Sequence, residues 1–281
     1  MSGRCLASLV VWVSCAVIAG CASGGGSAVV PVAAPVPTTV ATTAKADVGA
    51  AAPAADVSSG SVASGGAADL PAITVHLAGD STVSNYAATT VQEGWGQELG
   101  QFFNDKVTID NKAIGGANVK SFKSGNWTKI VPALKGGDYV LIQFGANDSG
   151  TAHGPVTPAD FAATLGQMAD EVMAKKATPI YVTPSAFYQW SGGRDDNGRL
   201  APYAGAMITE GVAKGVLVAD LNARGVEYLD SIGQAGATAL YLPSHGTVDK
   251  AHFVKAGAVK MAQLVAGELR RIHSPLAAYL K

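Results

Sequence analysis

From Ala22 to Leu70 the chain is built almost wholly of Ala, Gly, Ser, Val, Pro and Thr, with Lys45, Asp47, Asp56 and Asp69 as its only charges and no periodic apolar spacing. Such a stretch buries too little apolar surface to offset the entropy of ordering it. It therefore reads as a tether and confines any folded domain to residues 71–281. As a flexible chain it spans roughly 35–42 Å, somewhat more where Pro and Ala stiffen it. The remainder is long enough for one well-buried core, and no internal repeat or second Pro/Gly/Ser-rich boundary divides it.

Ahead of the tether, residues 1–20 carry Arg4 and then a nearly uncharged apolar stretch from Leu6 to Gly20, too short for a comfortable membrane span. This is the pattern of a removable secretory signal. Val17-Ile18-Ala19-Gly20-Cys21 resembles the lipobox of bacterial lipoproteins, which implies lipidation of Cys21 and a membrane anchored through it; the alternative is an ordinary signal or anchor. Ala22 stands where an aspartate marks inner-membrane retention in many Gram-negative lipoproteins, so the resemblance favours the outer membrane of the cell envelope, with the domain facing either side. Cys5 and Cys15 would leave with the leader, so residues 71–281 hold neither a disulfide nor a Cys-based metal or nucleophile site. A formal net charge of −1 offers no basic patch for nucleic acid and no polybasic membrane surface.

Apolar runs of strand length occur at Ile73–Ala78, Val107–Ile109, Tyr139–Phe144, Ile180–Thr183 and Val216–Leu221. Helical patterns lie between them. The clearest is 157–175, where Thr157 suits the cap, Pro158 the first turn and Asp160 the positive helix end, with Phe161, Leu165, Met168 and Val172 on one face. A last helix is predicted over 256–272, with Val259, Leu264 and Val265 inward and Glu268, Arg270 and Arg271 toward its exposed end. Strands alternating with helices predict an α/β fold with a five-stranded parallel sheet covered on both faces, whose sites lie at the carboxyl ends of the strands.

Three short stretches fall at such ends, and a fourth lies at a loop-to-helix junction. Leu77-Ala-Gly-Asp-Ser-Thr-Val83 stops the first strand at a serine, and a helix is expected directly after it. Ser81 then reads either as a nucleophile whose own N–H can bind an anion or as a helix cap. Ala113-Ile-Gly-Gly-Ala-Asn118 follows the second strand, Gln143-Phe-Gly-Ala-Asn-Asp148 ends the third, and Val248-Asp-Lys-Ala-His-Phe253 precedes the last helix.

Taken in order, GDS, a glycine turn, GAND and D-x-x-H resemble the four blocks of the SGNH, or GDSL-type, hydrolases from about Ile73 to the C-terminus. "GDSTV", "GWGQELGQFF" at 94–103, "NKAIGG", "QFGAND" and "DKAHF" resemble the rhamnogalacturonan acetylesterase-like branch most. The resemblance implies a flavodoxin-like three-layer α/β/α sandwich. It also implies Ser81 as nucleophile, Asp249 and His252 as the rest of a triad, and an oxyanion hole of Ser81, Gly116 and Asn147. Each role suits its residue: an imidazole titrates near working pH, a carboxylate orients it, glycine lets an N–H approach closely, and an amide donates without titrating. The nearby His245 is the rival base, whereas His76, His153 and His273 read as structural, and so does Trp95; Trp127 has no assignment.

Three positions depart from the branch. Ala117-Asn118 replace a frequent Arg-Ser, Ala146 a frequent His, and Ala251 a frequent Thr, so the polymer substrate is the part left open. The loop 184–202 offers Trp190 or Tyr188 for stacking on a sugar and Arg194 for a polar or acidic group. The expected function is therefore an esterase removing acetyl groups from a carbohydrate such as rhamnogalacturonan, through an acyl-serine and without metal or cofactor, in a chain expected to be monomeric. Rival readings are a lipase, arylesterase or thioesterase of the same family, an esterase for peptidoglycan or exopolysaccharide, and a non-catalytic carbohydrate-binding lipoprotein.

Overall fold

The computed structural model describes residues 70–281; the leader, Cys21 and the tether up to Asp69 lie outside them. Along the chain run β1 (Ile73–Gly79), β2 (Gln92–Glu93), α1 (Trp95–Glu98), β3 (Val107–Asn111), α2 (Val119–Ser124), α3 (Trp127–Ile130) and β4 (Tyr139–Gln143). There follow α4 (Pro158–Ala174), β5 (Thr178–Val182), β6 (Trp190–Ser191), β7 (Arg194–Asp195), α5 (Ala201–Lys214) and β8 (Leu217–Ala219). The chain closes with α6 (Leu221–Thr238), β9 (Tyr241–Ser244), β10 (Thr247–Val254) and α7 (Lys255–Arg271).

Five strands form one parallel sheet in the order β3-β1-β4-β5-β8, as the alternation predicts. Parallel strands inside such a sheet are buried on both faces, which is why β1 and β4 are nearly continuous apolar runs. Val75, Leu77, Leu141 and Ile180 face a core completed by Trp95, Leu229, Met261 and Val265 from α1, α6 and α7. Val140, Ile142 and Tyr181 face the other core, with Phe122, Phe161, Leu165, Met168 and Met207 from α2, α4 and α5. Each such side chain contributes about 1.5–3 kcal/mol through burial, so the two cores, not the short helices, hold the layers together.

Local chemistry sets the helix bounds. In α4 the Thr157 hydroxyl accepts from the Asp160 N–H at 3.1 Å, Pro158 opens the first turn, and Phe161, Leu165, Met168 and Val172 are all buried. Glu268 in α7 departs from expectation. It is buried, accepts from the Asp220 N–H at 3.0 Å and is clasped by Arg271 at 2.6 Å, since a carboxylate facing the sheet edge must be paired.

Two further departures bear on the site. The D-x-x-H stretch lies not at a loop-to-helix junction but on β10, in a second, antiparallel sheet of order β2-β10-β9. Val248 pairs with Pro243 and Phe253 with Tyr241, so Asp249–His252 are looped out of the ladder between them. Nor does a helix follow Ser81. Residues 81–83 form a turn closed by the Val83 and Ser84 N–H groups on the Asp80 carbonyl. The Tyr86 hydroxyl takes up the Ser81 carbonyl at 2.8 Å, which removes an acceptor that a helix would need.

Candidate active site

Because β1, β3 and β4 are parallel neighbours, their carboxyl ends share one edge of the sheet. Ser81 follows β1, Gly115-Gly116 follow β3, and Asn147 follows β4. The looped-out part of β10 brings the fourth block to them. His252 Nε2 lies 2.9 Å from Ser81 Oγ, and its Nδ1 lies 3.1 Å from Asp249 Oδ1. Asp249 Oδ1 also accepts the N–H groups of Ala251 at 2.7 Å and His252 at 2.8 Å, a local turn that fixes acid and imidazole to the same strand. Burial pushes the Asp249 carboxyl upward, but these donors and the imidazole outweigh it and hold it below the usual carboxylate value. An ionised Asp249 requires Nδ1–H as donor, which leaves Nε2 free to accept the Ser81 hydroxyl proton.

The glycine turn faces the serine: a Cβ built on Gly115 would lie 3.8 Å from the Ser81 Cβ. Gly116 has φ +76°, and a Cβ there would meet the His153 ring at 3.2 Å. Conformation and space thus both call for glycine at 116. Asn147 donates from Nδ2 to the Ala117 carbonyl at 3.0 Å, which anchors one N–H of its amide and leaves the second available. Asn118 holds the other side by donating to the carbonyls of His153 and Gly154 at 2.8 and 3.0 Å. His153 consequently stands over the glycine turn instead of serving the core.

A buried network braces the serine turn from beneath. Asp80 Oδ1 accepts from the Thr82 N–H at 2.9 Å and its hydroxyl at 2.8 Å. Thr82 Oγ1 accepts from Gln143 at 2.6 Å, and Gln143 Oε1 accepts from the Trp95 indole at 2.7 Å and Ser185 at 3.1 Å. Trp95 is accordingly structural; its neighbour Gly94 lies so near the Val83–Ser84 backbone that a Cβ would come within 2.3 Å of the Ser84 carbonyl. Asp80 is fully buried, and burial pushes its carboxyl to about 6, with the Thr82 donors and His252 pulling down and Asp148 pushing up. Trp127, unassigned from the sequence, is buried and donates to Glu171 at 2.7 Å.

The three expected sugar contacts are engaged elsewhere. Tyr188 packs on Tyr241 and Trp190, its hydroxyl 2.9 Å from Thr238, and Arg194 bonds to Asp230 of α6 through both Nε and Nη2. Trp190 and Arg194 sit on a small hairpin, β6–β7, that packs on α6, where their side chains meet neither Ser81 nor His252. The same stretch instead supplies Phe187, which packs with Ala146 and Ala251, the residues immediately before Asn147 and His252. His245 lies exposed at the β9–β10 turn with φ +43°; it lines a cavity of about 590 Å³ and makes no contact with Ser81. His76 is buried against Asp110 at 2.9 Å, and His273 ends α7 with φ +51°.

Sequence reasoning missed Asp80, Tyr86, Gln143 and Phe187. An acid directly before the serine at the end of a buried strand was the available signal for Asp80. The others are recognisable only through contacts.

Residues 77–258 match the model of the GDSL-like lipase/acylhydrolase family. The chain belongs to that family. Among curated proteins it is 34% identical over 223 residues to the rhamnogalacturonan acetylesterase RhgT of Bacillus subtilis, covering 74% of this chain and 94% of RhgT. The crystal structure of YxiM from Bacillus subtilis superposes with a TM-score of 0.66 at 30% identity, covering 72% of this chain and 57% of that one. Axe2, an acetylxylan esterase from Geobacillus stearothermophilus, superposes with a TM-score of 0.53 at 19% identity over 72% of this chain and 94% of its own. At that identity the likeness is one of fold.

Proposed function

We propose that this member of the family is a serine esterase that removes acetyl groups from a carbohydrate, with acetylated rhamnogalacturonan as its substrate. The observation that carries the reading is the bridge from Ser81 through His252 to Asp249, in a chain 34% identical to a rhamnogalacturonan acetylesterase along nearly the whole of that enzyme. In this reading Ser81 Oγ attacks the acetyl carbonyl carbon while His252 Nε2 takes the hydroxyl proton. The carbonyl oxygen becomes an oxyanion held by the N–H groups of Ser81 and Gly116 and the free amide N–H of Asn147. Collapse breaks the bond to the sugar oxygen, which leaves with the proton from His252. Water then adds to acetyl-Ser81 by the same route, releasing acetate and restoring the hydroxyl.

The test is acetate release from acetylated rhamnogalacturonan, acetylated xylan and long-chain esters by the wild-type chain and Ser81→Ala. Release from the pectic polymer that is faster than from long-chain esters and abolished by the substitution supports the reading. Full activity in Ser81→Ala overturns it, and so does a preference for long chains.

We further propose that the site works at the cell envelope, tethered through lipidated Cys21. The lipobox-like Val17–Cys21 and the sparsely charged Ala/Gly/Ser/Pro/Thr-rich tether support this. Incorporation of labelled fatty acid by the wild type but not by Cys21→Ala checks it.

A further inference from the structure

Arg199 lies beside the catalytic loop without being part of the scheme above. Its Nε donates to Ser149 Oγ at 2.9 Å and its Nη2 to the Ala146 carbonyl at 3.0 Å, so its two anchors bracket Asn147 in sequence. The guanidinium carbon stands 5.2 Å from the centroid of the Phe187 ring, and Phe187 in turn packs between Ala146 and Ala251. A Cβ on Gly150 would come within 3.0 Å of Nη2, which shows how closely the turn after Asn147 wraps the guanidinium.

Among the described residues every polar partner of this cation is neutral, and its residue is exposed. Arg194, Arg224 and Arg271, by contrast, are each met by a carboxylate. Of the five N–H groups of a guanidinium, two are used here, and three remain for a ligand. The aromatic face beneath and the two anchors hold the fork in one orientation, which lowers the entropy cost of binding a planar anion. The charge is thus fixed, without an ion-pair partner among the described residues, and placed where Phe187 joins the Asn147 loop to the His252 loop.

We propose that Arg199 is a substrate-binding residue that takes the carboxylate of an acidic sugar, a hexuronate unit, next to the acetylated residue. The inference rests on the carbohydrate reading above and names the part of the substrate that fixes specificity. Arg suits the task because two parallel N–H bonds match the two oxygens of a carboxylate, which a neutral hydroxyl of a xylan or hexan cannot reproduce. Binding of this kind acts in the ground state and in the transition state alike, so its loss appears in KM.

The experiment compares the wild type, Arg199→Lys and Arg199→Gln on three substrates: acetylated rhamnogalacturonan oligosaccharides, the same oligosaccharides with their carboxylates converted to methyl amides, and p-nitrophenyl acetate. Arg199→Gln is expected to raise KM about tenfold or more on the acidic oligosaccharides, with kcat changed less than threefold, and Arg199→Lys to recover part of the loss. Any loss on the amidated sugar and on p-nitrophenyl acetate reads loop support alone, and the loss on the acidic oligosaccharides should exceed it about tenfold or more. The wild-type KM on the acidic form should rise with added salt, and that of Arg199→Gln should not. Equal losses on all three substrates would mean that Arg199 only supports the loop and would overturn the inference. Wild-type deacetylation of acidic and amidated forms with the same KM would also overturn it while leaving the carbohydrate reading intact. Hydrolysis of p-nitrophenyl acetate with no acetate from either sugar would sink that reading and the inference together.

Discussion

His252 Nε2 and Ser81 Oγ stand 2.9 Å apart although 171 positions separate them in the chain. What fixes the imidazole is Asp249, whose carboxyl is held below its usual value by the donors around it and so is ionised at neutral pH. Asp249→Asn can turn an amide N–H toward Nδ1 and favour the tautomer that cannot accept the serine proton. Its kcat should fall on the order of 10³–10⁴-fold with KM little changed, as steady-state kinetics on p-nitrophenyl acetate will show.

In the proposed mechanism Gly116 and Asn147, with the Ser81 N–H, supply the donors for the developing oxyanion. Asn147→Ala is expected to cost about 2.7–4 kcal/mol of barrier, seen as a drop of roughly 10²–10³-fold in kcat. Gly116→Ala places a Cβ at positive φ and 3.2 Å from the His153 ring. Adding His153→Ala should restore part of the lost activity; a double variant no better than Gly116→Ala would show that the backbone angle alone is at fault.

Tyr86 donates to the Ser81 carbonyl at 2.8 Å and accepts from Gln92 at 2.7 Å. Burial first, then the charge of Asp80, pushes its hydroxyl up to about 12, so it stays a donor throughout the working range. Tyr86→Phe should lower stability by about 0.5–1.5 kcal/mol in urea unfolding and reduce kcat severalfold by loosening the serine turn, with the pH profile unchanged.

Asp80 makes stability depend on pH in the direction opposite to most carboxylates. Its folded value of about 6 lies above the ordinary 3.8, so between these values the folded state keeps a proton that the unfolded chain has released. The associated stability is complete below about 4 and is lost as pH rises through 6. Asp80→Asn cannot ionise there. Relative to this variant, the wild type should lose roughly 2–2.5 kcal/mol between pH 4 and pH 7 in urea titrations, whatever the absolute cost of the amide. A pH-independent difference between the two proteins would refute the assignment.

The five strands, α4 and the four blocks were legible because local patterns carry them: apolar runs for buried strands, Thr157-Pro158 for a helix start, glycine and acid at strand ends. Tyr188, Trp190 and Arg194 were illegible for the complementary reason. Their composition suits a sugar, but within the fold Tyr188 meets Trp190, Tyr241 and Thr238, and Arg194 meets Asp230. Phe187 and Arg199 in the same stretch look no different in sequence, and only their packing against Ala146 and Ser149 brings them to the site.

By itself, then, the sequence determined which residue types stand at the ends of which strands, since a parallel sheet sends all its carboxyl ends to one edge and makes that edge readable from order alone. The tertiary structure decided what those residues touch. It looped Asp249–His252 out of a second sheet to reach Ser81, replaced an expected helix with a turn whose carbonyl Tyr86 holds, and set Arg199 on neutral partners, Ser149 and the Ala146 carbonyl. Long-range contacts of this kind depend on how two cores pack across one sheet, and no local stretch of sequence encodes that distance.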